Sequence, residues 1–389
     1  MMYNWTEMAG LKELTYVWTN IKEVDLRPLL AQAQRSLKIA LVGRRMDSLN
    51  SLAFQMRRDP MRPSQTTSTP LLLLSLEDST AADSADLVIL VLEGPLAGSA
   101  GQLPVDDSAE WKLARGWANS GKKVLVVIDM PSPDRARELE AGGALSRWSD
   151  WGKQRVVDGS VEDTHFLLHA FAPAVMDLLP EALLSLGRSF PLFRVPIARQ
   201  LIGEACTSNA AYALSTGIAE IVPVFDIPLN VADMIILTKT QAFLVYKLGL
   251  ALGLSTRWHD YLTEFGGVLG GGFLWRQVAR SLVGLIPAWG VLPKVAVSYA
   301  GTYVVGNVVL RWYLTGKHIS GKQMRQLYMQ AFARGKNLAR DLLARLPRPG
   351  RRARKALPAP SADRVCPNCG LYSAIDALYC RYCGQPLGR

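Results

Sequence analysis

Residues 201–313 constrain most strongly what this chain can fold into. The stretch is long, apolar, rich in small residues and sparing with charge. Between Ser281 and Leu310 its one charged residue is Lys294, and residues 266–275, with glycine at 266, 267, 270, 271 and 272, carry no charge. A helix needs about 20 apolar residues to cross a bilayer. Two segments here approach that length, each interrupted by a proline or an arginine. The stretch is therefore either the core of a helical bundle or a membrane-embedded hairpin. Residues 266–275, 281–289 and 295–310 are the candidate spans, with Ala300, Gly301 and Gly306 small enough for close helix approach. Arg311, Trp312 and Tyr313 then read as an interfacial anchor. The expectation is a transmembrane helix region, with both flanking parts in the cytoplasm at the cytoplasmic membrane. The alternative is a soluble cytoplasmic bundle.

The formal charge of +11 supports that orientation because of where it lies. From Arg311 to the end there are 16 Lys and Arg against 3 Asp, which leaves the rest of the chain near −2. The tail is basic; the protein as a whole is not. Such a tail suits anionic headgroups, nucleic acid, or the cytoplasmic flank of a membrane segment. The first ten residues have neither a basic n-region nor an apolar h-region, so no secretory signal is read and the thiols are expected to face a reducing cytoplasm.

Upstream, continuous Val/Ile/Leu runs alternate with amphipathic helices. Strands are predicted at residues 38–43, 71–75, 86–92 and 123–129, with a weak fifth at 155–157. Helices are predicted at 48–57, 108–119 and 163–179. That alternation is the pattern of a parallel sheet covered on both faces. Asp25 and Pro28 offer a helix start before the first strand. Beyond residue 180 strand signals nearly vanish, and Pro191, Pro223, Pro228, Pro287 and Pro293 separate helical pieces. Residues 323–346 form a strongly amphipathic helix with Arg325, Arg334, Lys336 and Arg340 on polar positions.

A strand running into Gly43 and then a helix is how a phosphate-binding loop begins. The loop pattern G-x-x-x-x-G-K-[ST] needs Gly, Lys and Ser/Thr where this chain has Ser48, Leu49 and Asn50. No metal-binding D-x-x-G precedes Asp86, and Asp129-Met130-Pro131-Ser132 stands where a guanine-reading N-K-x-D would be. All three chemical stations read as lost, so a nucleotide-free, degenerate P-loop scaffold is expected and no cofactor-binding residue is assigned. Other catalytic patterns are equally bare. His165 and His169 are four apart, but Phe166 occupies the position of the metalloprotease glutamate. No G-x-S-x-G elbow is present. Cys206 reads as a buried structural thiol. Glu220, Asp226 and Asp233 lie in apolar surroundings with Lys239 and Lys247 downstream; such charges can mark an ion or proton path, and here they are expected to cap or pair helices. The chain is read as more a non-enzyme than an enzyme, with no catalytic residue.

The C-terminus is chemically explicit. Cys366-Pro-Asn-Cys369-Gly370 and Cys380-Arg-Tyr-Cys383-Gly384 are two C-x-x-C knuckles ten residues apart. Four soft thiolates close a tetrahedral Zn2+ site with no open position, which makes it structural. So short a piece cannot bury enough apolar area alone, and the metal supplies its folding energy. An iron site of rubredoxin type and two disulfides are the alternatives, the second requiring an oxidising compartment. This module resembles the short zinc-ribbon domain at the ends of many prokaryotic proteins.

Longer-range similarity adds to this. Phe190-Pro191 with Arg194, Asn209-Ala210, Ile221-Val222-Pro223, Ala232-Asp233, Leu237 to Gln241, Tyr246-Lys247, Leu274-Trp275-Arg276, Pro293 to Ala296 and Tyr299 to Thr302 together resemble the YcjF-type GTPase-associated domain of unknown function. The part before it resembles a degenerate Era/Ras-like domain. The resemblance implies membrane association and no assigned activity; where a true GTPase domain is attached its phosphate loop is intact, and this chain departs from it at Ser48, Leu49 and Asn50.

The resulting expectation is a multidomain chain: N-terminal helices (1–36), a degenerate GTPase-like α/β parallel-sheet domain (37–179), an all-α apolar domain associated with the membrane (180–346), a basic linker (347–364) and a zinc ribbon (365–389). Functionally it is a membrane-associated scaffold or adaptor with protein partners. Two alternatives stay open: a GTP-binding protein with an atypical loop, and a nucleic-acid binder using residues 345–389, where Arg345, Arg348, Arg351, Arg352, Arg354 and Lys355 could clamp phosphates.

Overall fold

The structure is a computed structural model. It describes residues 26–93, 108–130, 156–219, 229–257, 260, 291–317, 319–345, 364–370, 372–373, 380 and 385–387. These divide between two compact units, one running Leu30–Gln200 with Lys247–Thr256, the other including Leu201–Tyr246 and Arg257–Arg389.

The first unit is built on a five-stranded sheet of β1 (Ile39–Gly43), β4 (Leu72–Leu74), β5 (Leu87–Glu93), β6 (Val124–Asp129) and β7 (Val156–Gly159). Its order is β4-β1-β5-β6-β7 and every neighbouring pair is parallel. All five strands coincide with the predicted ones within a residue or two. The sequence reason is visible in the burial: β1 is buried throughout, as is β6 up to its last residue. Even-numbered residues (Ala40, Val42, Val88, Leu90, Val124, Val126, Ile128) share one core with Trp111, Ala114 and Trp117 of α3 (Ala109–Asn119). Ser108 caps that helix, its hydroxyl accepting from the Trp111 N–H. Because side chains alternate along a strand, the odd set (Ile39, Leu41, Leu87, Ile89, Leu125, Val127) faces the other way and is just as buried. There α2 (Met46–Arg57) lies against β1, and the long helix α4 (Thr164–Leu178) against β6 and β7. Each fully buried Leu, Ile or Val contributes about 1.5–3 kcal/mol, so this two-sided core dominates the unit's stability. Before the sheet, α1 (Arg27–Gln34) contains Pro28 in its first turn; Asp25 lies outside the described residues.

One element was not predicted. β2 (Arg58–Asp59) and β3 (Arg62–Thr66) form a small antiparallel hairpin at the end of α2. Beyond α4 come α5 (Leu183–Ser189), a single turn at Pro191–Phe193, and the start of α6 (Arg194–Ala219).

The second unit is helical. α6, α7 (Leu229–Ala251), α8 (Val291–Thr315) and α9 (Gly321–Arg345) are its long elements, and Pro293 lies inside the first turn of α8 instead of breaking it. α8 and α9 form a helical hairpin. Ala300, Val304 and Val308 of α8 interlock with Met324, Tyr328 and Ala331 of α9. Farther along, Val295 and Ala339 meet Ala210, Ala213 and Leu214 of α6. Small residues set the separation: a Cβ on Gly335 would stand 2.9 Å from the Ala296 Cα, and one on Gly306 2.7 Å from Ile202.

The expectation of a membrane-spanning helix at residues 295–310 is not met. Among the described residues no single helix is long and apolar enough to cross a membrane. The apolar run of α8 is bracketed by Lys294 and Arg311, is interrupted by Asn307, and buries Ser298 and Thr302. One bent pair passes by length and composition, Thr164–Leu178 with Pro180–Ser189, but it turns through 96°. Its residues Phe171, Ala172, Val175 and Leu186 are wholly buried, as core helices of a folded unit are. The other candidate spans, at 266–275 and 281–289, lie outside the described residues.

Candidate functional site

The cysteine module is organised by a two-residue ladder. Arg364 pairs with Ser373 and Val365 with Tyr372. This delivers Cys366 directly from a strand end into a turn that the Gly370 N–H closes on the Cys366 carbonyl at 2.9 Å. Gly370 has φ +67°, a left-handed conformation that costs side chains with a Cβ roughly 1–2 kcal/mol. The glycine after the second cysteine is therefore a backbone requirement of the knuckle. From the other side the Cys380 N–H donates to the Gln385 carbonyl (2.8 Å), and Arg364 donates to the Leu387 carbonyl (2.8 Å), closing the module around buried Leu387.

Cys366, Cys369 and Cys380 are all buried and their sulfurs lie within 4.8 Å of one another. Cys369 and Cys380 Sγ stand 3.5 Å apart, well outside the ~2.05 Å of a disulfide. Tetrahedral Zn–S bonds of about 2.3 Å place sulfurs about 3.8 Å from each other, so the three thiols fit a tetrahedral metal ion. Cys383, the fourth expected ligand, lies outside the described residues, as do Arg348, Arg351, Arg352, Arg354 and Lys355 of the basic linker.

At the end of β1 the connection to the next helix is short. Two residues, Arg44 and Arg45, join Gly43 to the first residue of α2. A Cβ on Gly43 would lie 2.9 Å from the Val91 carbonyl oxygen and 3.1 Å from Leu49. The glycine thus serves close packing of β1, β5 and α2. Leu49, at the position of the phosphate-binding lysine, is fully buried in that core. Arg44 is ion-paired to Glu110, which is 2% exposed, and Arg45 faces Glu93 at 3.4 Å and Asp47 at 3.8 Å. The Glu110 Oε2 atom has no hydrogen-bond partner. At the end of β6 the Asp129 carboxylate accepts from the Val161 N–H at 3.0 Å, tying down the turn after β7. Burial pushes the Asp129 carboxyl above its ordinary range, partly offset by that N–H.

Sequence reasoning missed two buried acids, Asp59 and Glu110. Asp59, on the unpredicted hairpin, meets Arg194 at 3.5 Å, with side chains 6% and 17% exposed. Burial lowers the Arg194 pKa and Asp59 opposes the shift. Arg194 also donates to the Gly187 carbonyl, and nearby Arg188 donates to the Leu254 carbonyl past the end of α7. A run of Arg-Asp-Pro in an apparent loop carries no periodicity, so only the tertiary pairing reveals it.

Other predicted positions resolve plainly. Asn209 and Thr302, both carriers of the family resemblance, are buried partners: the Asn209 side-chain amide donates to the Thr302 hydroxyl at 2.8 Å. That hydroxyl donates to the Ser298 carbonyl, and the Ser298 hydroxyl donates to the Asn209 carbonyl, both at 3.0 Å. Cys206 is buried, its thiol pushed up to about 12 by desolvation, so it is inert. His165 and His169 are exposed with rings 4.6 Å apart. Lys239 is buried, whereas Glu220 and Asp226 lie outside the described residues.

No family model matches this chain. It is 33% identical over 159 residues to magnetosome membrane protein 22 of Magnetospirillum gryphiswaldense, covering 38% of this chain and 78% of that protein. The chain belongs to the magnetosome membrane protein 22 family.

Proposed function

We propose that this chain is a non-enzymatic scaffold or adaptor associated with the cytoplasmic face of a membrane. Its α/β unit is a nucleotide-free, GTPase-like docking body, and its C-terminal module is a zinc ribbon. The observation that carries the reading is the fully buried Leu49 at the lysine position, reached through a two-residue connection from Gly43. A triphosphate needs a loop long enough to wrap it and a cation to meet its outer phosphates; here the cations present are already paired with Glu93 and Glu110. The strand order and the apolar helical unit support the wider resemblance to a YcjF-type domain preceded by a degenerate Era/Ras-like one. Membrane association is supported by the relative's description as a membrane protein and by the basic C-terminal tail.

In the zinc ribbon Cys366, Cys369 and Cys380, with Cys383 as fourth ligand, hold Zn2+. The ion supplies folding energy and no open coordination position. Gly370 and the strand pair fix the knuckle that presents the thiolates.

Two measurements test the proposal. The protein is expected to remain with membranes after a carbonate wash or to pellet with lipid; recovery wholly in the lipid-free supernatant would sink the membrane part. Calorimetry with GTP and Mg2+ is expected to show no heat of binding. Saturable binding there would overturn the scaffold reading in favour of a GTP-binding protein with an atypical loop.

A further inference from the structure

α9 uses its apolar face against α8 and α6, which leaves the opposite face to be explained. At about 100° per residue, the buried Met324, Tyr328, Ala331 and Ala339 fall on one side of the helix. On the other side Lys322, Arg325, Lys336 and Arg340 are all exposed and fall within about 60° of each other. They span about 27 Å of axis. Met329, 52% exposed, projects from the middle of this stripe. The one acid on α9, Asp341, is turned about 100° away from Lys322 and Arg340. Arg334 is on the far edge of the exposed side, its guanidinium over the Tyr303 ring at 5.6 Å. Among the described residues none of the four stripe cations is in an ion pair. Lys336 lies over the Phe332 ring at 4.9 Å, and Arg340 donates to the Asn337 side chain, so two of the four are held in place.

We propose that this face of α9 docks on the anionic headgroups of a lipid bilayer, with Lys322, Arg325, Lys336 and Arg340 as the contact stripe and Met329 seated among the upper acyl segments. The proposal rests on the membrane-association reading and names its contact. A straight row of unpaired cations along one side of a helix is complementary to a flat, negatively charged surface. The exposed thioether in its centre gains from hydrocarbon and gains nothing from phosphates of a nucleic acid. Single-stranded nucleic acid calls for exposed aromatic rings; on α9 Tyr328 is buried and Phe332 is covered by Lys336. Because the apolar face is already packed, only the Met329 side chain reaches past the headgroups, and the helix itself rests on them by charge instead of lying in the bilayer as a free amphipathic helix does.

Each cation near an anionic surface strengthens partitioning about fivefold. The full chain is sedimented with vesicles of phosphatidylcholine alone and of phosphatidylcholine mixed with phosphatidylglycerol. Wild type is expected to prefer the anionic vesicles, and less so as salt rises. The combined change Lys322→Gln, Arg325→Gln, Lys336→Gln and Arg340→Gln is expected to lower that partitioning roughly 600-fold, with an unchanged circular dichroism melt because every site is exposed. Arg334→Gln, off the stripe, is matched against the single change Arg325→Gln and is expected to leave partitioning unchanged where Arg325→Gln lowers it about fivefold. Equal wild-type binding to both vesicle types, unaltered in the quadruple variant, overturns the stripe while the membrane reading survives. Binding to neither overturns both. An equal loss for Arg334→Gln reduces the effect to bulk charge and overturns the stripe. Duplex DNA binding that needs the four residues, without vesicle binding, replaces lipid with nucleic acid as the occupant.

Discussion

Asp59 and Arg194 show how single residues carry this fold. Both side chains are withdrawn from water, and desolvation already depresses Arg194. Removing one member leaves the other charge buried without compensation, which costs about 3–5 kcal/mol. Asp59→Ala is therefore expected to destabilise the α/β unit by that amount in urea unfolding. A loss below about 1 kcal/mol, the level of an exposed pair, would mean the pair is open to water. Asp129 acts through pH. Its folded pKa is raised, so the folded chain keeps this proton when the unfolded chain, with an ordinary carboxyl near pH ~3.9, has begun to lose it. The stability it contributes is complete below that ordinary value and is lost as pH rises through the folded one. Asp129→Asn keeps the oxygen that accepts from Val161 and is expected to flatten the stability profile over that acidic window. A profile that keeps its slope would assign the proton uptake elsewhere.

Elements whose burial is two-sided were legible in the sequence, because β1, β5 and β6 read as unbroken Val/Ile/Leu runs and their helices as amphipathic repeats. The β2–β3 hairpin was not legible, since its stability comes from Asp59 meeting Arg194 far along the chain. The same cause misled the reading of α8 as a membrane span. Apolarity alone does not tell lipid from protein as the covering medium, and here α6 and α9 provide the cover. Their fit is close enough to test. Gly335→Leu would gain somewhat less than the about 0.8–1.0 kcal/mol of helix propensity that separates Gly from Ala, yet its Cβ would fall 2.9 Å from the Ala296 backbone. Overpacking of this kind costs about 1–3 kcal/mol, so a net loss is expected. If the melting temperature rises instead, the two helices are not held at this separation.

At the scale of the molecule, two C-x-x-C knuckles announced a metal module before any geometry, and the structure adds that three of those sulfurs are buried together. What no sequence pattern could show is that Leu49 is part of the core, which appears only once α2 is packed on β1. These two parts predict separable behaviour. Structural zinc binding contributes about 10–16 kcal/mol in small modules, far more than so few apolar residues can supply. Purified protein is therefore expected to hold one zinc per chain by elemental analysis, and Cys366→Ser or a strong chelator to abolish it. The α/β unit has its own core of Val, Ile, Leu and Trp residues, independent of any sulfur. Hydrogen exchange after chelation should thus rise across residues 364–387 and stay protected through β1, β5 and β6. Loss of protection in both places would show that the sheet depends on the metal, and the division of stability argued here would have to be abandoned.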